Sequence, residues 1–101
     1  MNVELACTLR SRLRGLLGRG EFTGVLMIVP CRDIHTFGMK RAIDVAFVSS
    51  DGLVLESHRC VGPCRRIRCR KAAVTLERYA EDAPWPESGD RIELQTKRRN
   101  P

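Results

Sequence analysis

Six residues, Ile43-Asp44-Val45-Ala46-Phe47-Val48, constrain the fold of this chain more than any others. In a strand, alternate side chains point to opposite faces. Ile43, Val45 and Phe47 therefore share one face, and Asp44, Ala46 and Val48 the other. Both faces are apolar apart from one carboxylate. A strand of this kind belongs inside a sheet or between two layers. Burying an ionised carboxylate without partners is very costly, so Asp44 must find donors or cations, or take up a proton. One outcome is structural, with Asp44 held by loop amides or by an arginine such as Arg14. The other is a carboxylate that faces a ligand at an opening of the sheet.

The residues just before this strand carry the most varied chemistry. If Ile34 to Met39 is extended, His35, Phe37 and Met39 share a face, and Gly38 stands where a bend or close approach is tolerated. A histidine, a hydroxyl, an aromatic ring and a carboxylate then lie within one hairpin's reach. The expected site is a non-catalytic one for a small polar ligand or a protein partner. His35, Thr36, Phe37, Met39 and Asp44 would line it, with Arg12 or Arg14 nearby. Asp44 and Thr36 would fix polar groups, while Phe37 and Met39 would supply apolar contact. No cofactor is implied.

Elsewhere the pattern is that of short strands. Asn2 to Cys7 alternates polar and apolar residues, Gly24 to Val29 is an apolar strand stopped by Pro30, and Asp51-Gly52 signals a hairpin turn leading to a return strand at Leu53 to His58. Ala72 to Tyr79 and Arg91 to Gln95 read as further strands, separated by a surface loop anchored by Trp85. Leu9, Leu13, Leu16 and Leu17 fall at helical spacing, which predicts one short helix over about residues 9–17. The expected fold is mainly β, a small sandwich or barrel with that single helix, forming one domain over residues 1–101 with a basic, frayed tail at 97–101. Aromatic residues make up 5% of the chain, so the core must be largely aliphatic. The longest apolar run, Val25 to Val29, is far short of the ~20 residues that span a bilayer. Arginines at 10, 12 and 14 interrupt any leader-like stretch, so the default compartment is the cytoplasm.

Three other constellations carry candidate chemistry. Cys31 and His35, with Asp44, resemble the parts of a thiol-dependent hydrolase or redox enzyme, yet no oxyanion-hole glycine motif accompanies them. His58, Cys60, Cys64 and Cys69 have gaps found in zinc sites, but arginines crowd the segment and would repel a cation. Free thiols in a reducing compartment are the simpler reading of the 5 cysteines. Arg65 to Lys71 is a cationic run in a chain of net charge +6, and as a strand it would place Arg66, Arg68 and Arg70 on one face. Such a row attracts phosphates or other anions, but no aromatic residue is interleaved to stack on bases. A solvated edge that resists aggregation accounts for it as well.

The run Ile34-His35-Thr36-Phe37-Gly38-Met39-Lys40 followed by Ile43-Asp44-Val45-Ala46-Phe47 resembles the signature of the domain-of-unknown-function 192 family. Arg12-x-Arg14-Gly15-Leu16-Leu17-Gly18-Arg19 is similar to that family's R-x-R-G-L-M-G-R segment. Pro30-Cys31 precedes the signature as in some of its members. Val74-x-Leu76-Glu77, then Gly89-Asp90, resembles its V-L-E and G-D ending. The resemblance runs from about Ala6 to Leu94. It departs at Lys40-Arg41-Ala42 and at Glu81, where the family has a glycine. The resemblance implies one small, β-rich, jelly-roll-like domain and brings no established activity with it.

Overall fold

The computed structural model describes residues 3–6 and 23–93. They form seven strands: β1 (Val3–Ala6), β2 (Val25–Ile28), β3 (Asp33–His35), β4 (Ile43–Val48), β5 (Val54–Val61), β6 (Arg66–Arg68) and β7 (Val74–Tyr79). Five of them make one sheet in the order β1-β2-β7-β4-β5, and β3 pairs with β6 in a separate two-stranded ribbon. The pairing of β1 with β2 is parallel, and the other strand pairs are antiparallel. The fold is mainly β and sandwich-like. There is no helix among the described residues. The helix expected over residues 9–17 lies outside them, as does the 97–101 tail.

β4 is buried along its whole length, as its two apolar faces require. It lies between β7 and β5, and its alternation sorts the core into two clusters. Ile43, Val45 and Phe47 join Leu26 and Ile28 on one face of the sheet. Ala46 and Val48 join Val25, Val74 and Leu76 on the other. The ribbon closes the first face: Ile34 and Ile67 are register partners and pack into that cluster. Trp85, from the loop after β7, closes the second. Among the described residues, no helix is long and apolar enough to cross a membrane.

The β4–β5 hairpin turns where Asp51-Gly52 placed it. Ser49 N donates to Leu53 O at 2.9 Å, Gly52 N donates to Ser49 O at 3.0 Å, and the Ser49 hydroxyl bonds Asp51. β5 then runs to Val61, three residues beyond the expected His58, because a bulge lets it continue past Asp44. The strand expected at Arg91 to Gln95 is, within the described residues, a single bridge between Leu53 and Arg91. Residues 89–92 nevertheless follow the start of β5, with Val54 N donating to Asp90 O at 2.8 Å and Ile92 N to Gly52 O at 2.7 Å. This tract is held by β5's backbone rather than by a sheet ladder of its own, so apolar alternation was a weak guide to it.

Gly52 has φ +92°, and a Cβ built on it would fall on the carbonyl oxygen of Ile92. Gly52→Ala should therefore destabilise the fold by about 2 kcal/mol or more, through left-handed backbone strain and displacement of the 89–92 tract. Urea denaturation of the two proteins, compared at their midpoints, measures this directly.

Candidate functional site

Asp44 lies at a bulge. Ile43 pairs with Val61 and Val45 with His58, so Arg59 and Cys60 together stand opposite Asp44. Cys60 takes a left-handed conformation, φ +55°, and its amide donates to Asp44 Oδ1 at 2.9 Å. On the other flank, Asp44 and Arg78 are direct register partners, and Arg78 Nε donates to Oδ2 at 2.8 Å. Arg59 Nε completes the set at 3.4 Å from Oδ1. Asp44 has no exposed surface, and Arg78 is 3% exposed. Burial pushes the Asp44 carboxyl up, but the Cys60 amide, the Arg78 hydrogen bond and the Arg59 charge outweigh it and hold the group below its ordinary value.

Arg78 spends its remaining donors on the loop after β7. Nη1 donates to Pro84 O at 3.1 Å and meets Glu81 Oε1 at 3.3 Å, and Nη2 donates to Ala83 O at 2.8 Å. The Trp85 ring lies 4.6 Å from the Arg78 guanidinium carbon. Arg59 Nη2 also donates to Glu81 O at 2.9 Å and Ala83 O at 3.1 Å. The carboxylate thus positions two arginines, and these arginines hold the loop. Trp85 thus shares the anchoring of the loop with Arg78 and Arg59, and further along Ser88 Oγ donates to Leu55 O at 3.0 Å and Gly89 N to Val54 O at 2.9 Å. Arg78 was missed as Asp44's partner, although a signal existed. Arg78 follows Val74 and Leu76 on the same strand face, a cation on an otherwise apolar row. Arg12 and Arg14, which sequence reasoning placed near Asp44, lie outside the described residues.

The structure divides the rest of the expected site. Asp44 shares a sheet face with Ala46, Arg78 and Trp85, whereas the segment carrying His35 to Met39 belongs to the ribbon on the opposite face. Thr36 is fully buried. Its hydroxyl donates to Gly62 O at 2.7 Å and accepts from Arg65 N at 2.8 Å. Its carbonyl accepts from Met39 N at 3.1 Å and Cys64 N at 3.3 Å. Thr36 therefore joins the 36–39 turn to the 62–65 loop, and its polar atoms are occupied within the fold. Met39 is half-buried against the first core cluster.

His35 and Phe37 face outward. Their rings stack with centroids 5.3 Å apart and planes inclined by 24°. Phe37 is 51% exposed. Beside them, across the ribbon, β6 presents Arg66 and Arg68, while Ile67 turns inward. Asp33 accepts from Arg66 Nε at 3.2 Å and Nη2 at 2.7 Å, and this guanidinium holds the Asp33 carboxyl below its ordinary value.

Among the described residues, the cysteines and His58 do not gather into one centre. Cys31 donates to Asp33 O at 3.4 Å and packs against the first core cluster, while His35 points out from the ribbon and stacks on Phe37. Burial and the neighbouring Glu56 carboxylate push the Cys69 thiol up, which disfavours the reactive thiolate. His58 meets Glu56 at 3.0 Å and the edge of Phe47, and Cys60 and Cys64 are exposed. Among the described residues, no group of three His, Cys, Asp or Glu side chains is arranged to hold a metal ion.

The profile of the DUF192 family, described as "uncharacterized ACR", matches residues 1–93. No curated protein matches this chain. Two solved structures resemble its fold. A protein of unknown function from Novosphingobium aromaticivorans is 20% identical with a TM-score of 0.68, over 77% of this chain and 62% of that one. A protein from Sinorhizobium meliloti designated a "putative transcription regulator" is 24% identical with a TM-score of 0.67, over 77% of this chain and 67% of that one. This chain thus spans under two thirds of the first relative's length.

Asp44→Asn should cost about 3 kcal/mol at neutral pH, because it leaves the Arg78 charge buried against a neutral amide. The folded-state value of Asp44 is lowered, so its contribution is complete above the unfolded value of about 3.9 and is lost as pH falls through the folded value. The gap between wild type and Asp44→Asn in urea denaturation should accordingly be constant from pH 7 to about 5 and shrink below about 4.

Proposed function

The chain belongs to the DUF192 family, and from that premise we propose that it is a non-catalytic binding domain whose recognition face is the outer side of the β3–β6 ribbon. The ligand is a small polar molecule or a partner protein, engaged by His35, Phe37 and the rim of Met39. The observation that carries this reading is the stacked, outward-facing pair of His35 and Phe37 on a backbone that Thr36 ties to the neighbouring loop. Rings set in advance lose little conformational freedom on binding, so their contact area converts into affinity with a small ordering cost. In this reading Thr36 and Asp44 are scaffold. Thr36 shapes the turn that carries the rings, and Asp44 secures the opposite side of the sheet.

The ribbon packing over the sheet through Ile34 and Ile67 supports a jelly-roll-like sandwich as the finer description of the fold. Free thiols at Cys31, Cys60, Cys64 and Cys69 fit a reducing compartment, and the cytoplasm is the location we assign.

The test is a set of 15N–1H correlation spectra recorded with a library of sugars and heteroaromatic fragments. Shifts should cluster at residues 35–39 and 66–68. Phe37→Ala should abolish them while changing stability by no more than about 0.5 kcal/mol, as for an exposed side chain. Shifts that cluster instead at Asp44, Arg78 and the 81–85 loop would sink the proposal.

A further inference from the structure

The cationic run and the outward-facing rings lie far apart in sequence, and the fold places them side by side. His35 is the register partner of Arg66, and Asp33 that of Arg68. Arg65, Arg66, Arg68, Arg70 and Lys71 are all exposed. Asp33 pairs with this run through Arg66. Glu81, an acid that could have neutralised it, is drawn instead to Arg78 on the other face of the sheet. A sequence search for aromatic residues interleaved along the cationic run finds none, because the aromatic partners come from the neighbouring strand.

We propose that this face binds single-stranded nucleic acid, with a base stacked on Phe37 and its neighbouring phosphates on Arg66, Arg68 and Arg65. The proposal rests on the ribbon being the recognition face and goes beyond the small ligand or protein proposed for it, adding a polymer whose bases and phosphates use the rings and the arginines together. Two features favour nucleic acid over another polyanion. Guanidinium groups two residues apart on one strand face, about 6–7 Å along the chain, offer a row of forks to successive phosphates. The ring pair beside them offers a stacking surface that an unpaired base can cover and a duplex cannot, since bases in a duplex already stack on one another. Asp33 is a built-in competitor. Its carboxylate occupies the Arg66 fork, which a phosphate must share or take over.

The experiment is fluorescence anisotropy of a labelled 12-nucleotide oligo(dT) with the full chain, across a range of KCl. An abasic oligomer of equal length and charge serves as the control. Oligo(dT) should bind more tightly than the abasic strand, and log K should fall with log[KCl] at a slope of about −2 for three phosphates. Phe37→Ala should weaken oligo(dT) binding by about tenfold and leave the abasic strand unchanged. Arg68→Ala should reduce the slope by about 0.7. Asp33→Asn should tighten binding several-fold, a gain that a misfolded variant would not produce. Equal binding of the two strands, unaffected by Phe37→Ala, would overturn the proposal in favour of plain polyanion adsorption. Absence of binding at 50 mM KCl would also overturn it. In that case, fragment-induced shifts at residues 35–39 would leave the recognition face standing, and their absence would remove both readings.

Discussion

The pairing of Asp44 with Arg78 is the interaction on which most of the architecture leans. A carboxylate in an all-buried strand is admissible only because a guanidinium stands directly across from it and an amide is aimed at its second oxygen. Each requirement has left a mark on the backbone. The amide is supplied by a bulge, and the bulge needs Cys60 in a conformation that L-residues seldom adopt. The guanidinium, once buried, needs acceptors for its other nitrogens, and the loop from Glu81 to Pro84 provides carbonyls. An ion pair of this kind adds little net stability compared with a well-packed apolar pair. What it adds is geometry, because one register of β4 against β7 and one path of the loop satisfy every member.

The opposite side of the sheet is organised by a hydroxyl rather than a charge. Thr36 links two segments that are distant in sequence, through one accepted and one donated hydrogen bond, and so sets the angle at which the ribbon carries its rings. These two buried polar residues therefore divide the work: Asp44 secures the side of the 81–84 loop, and Thr36 secures the side of the ribbon.

How much of this could be read from the chain differs residue by residue. The two-sided burial of β4 followed from alternation alone, since apolar side chains at every position but one leave no solvated face. The Asp51-Gly52 turn followed from its backbone chemistry. The association of Asp44 with His35 did not survive, because nearness in sequence is a poor guide where a chain crosses from one layer to another between residues 39 and 43. Arg78 was legible only by asking which cation sits on an apolar face. The pairing of β3 with β6 was not legible at all. Three-residue strands carry too short a period to reveal their partners, and the arginine run reads the same whether it is paired or loose.

The sheet order has a bearing on the order of events during synthesis. β7 is the last of the seven strands to leave the ribosome, yet it lies at the centre, between β2 and β4. Until it emerges, the β4–β5 hairpin can close, but β2 has no antiparallel neighbour, and Asp44 waits without the guanidinium that makes its burial tolerable. Such long-range pairings close slowly and in concert. A chain ending at residue 73 therefore leaves the apolar strands β2 and β4 each with an edge that only β7 covers.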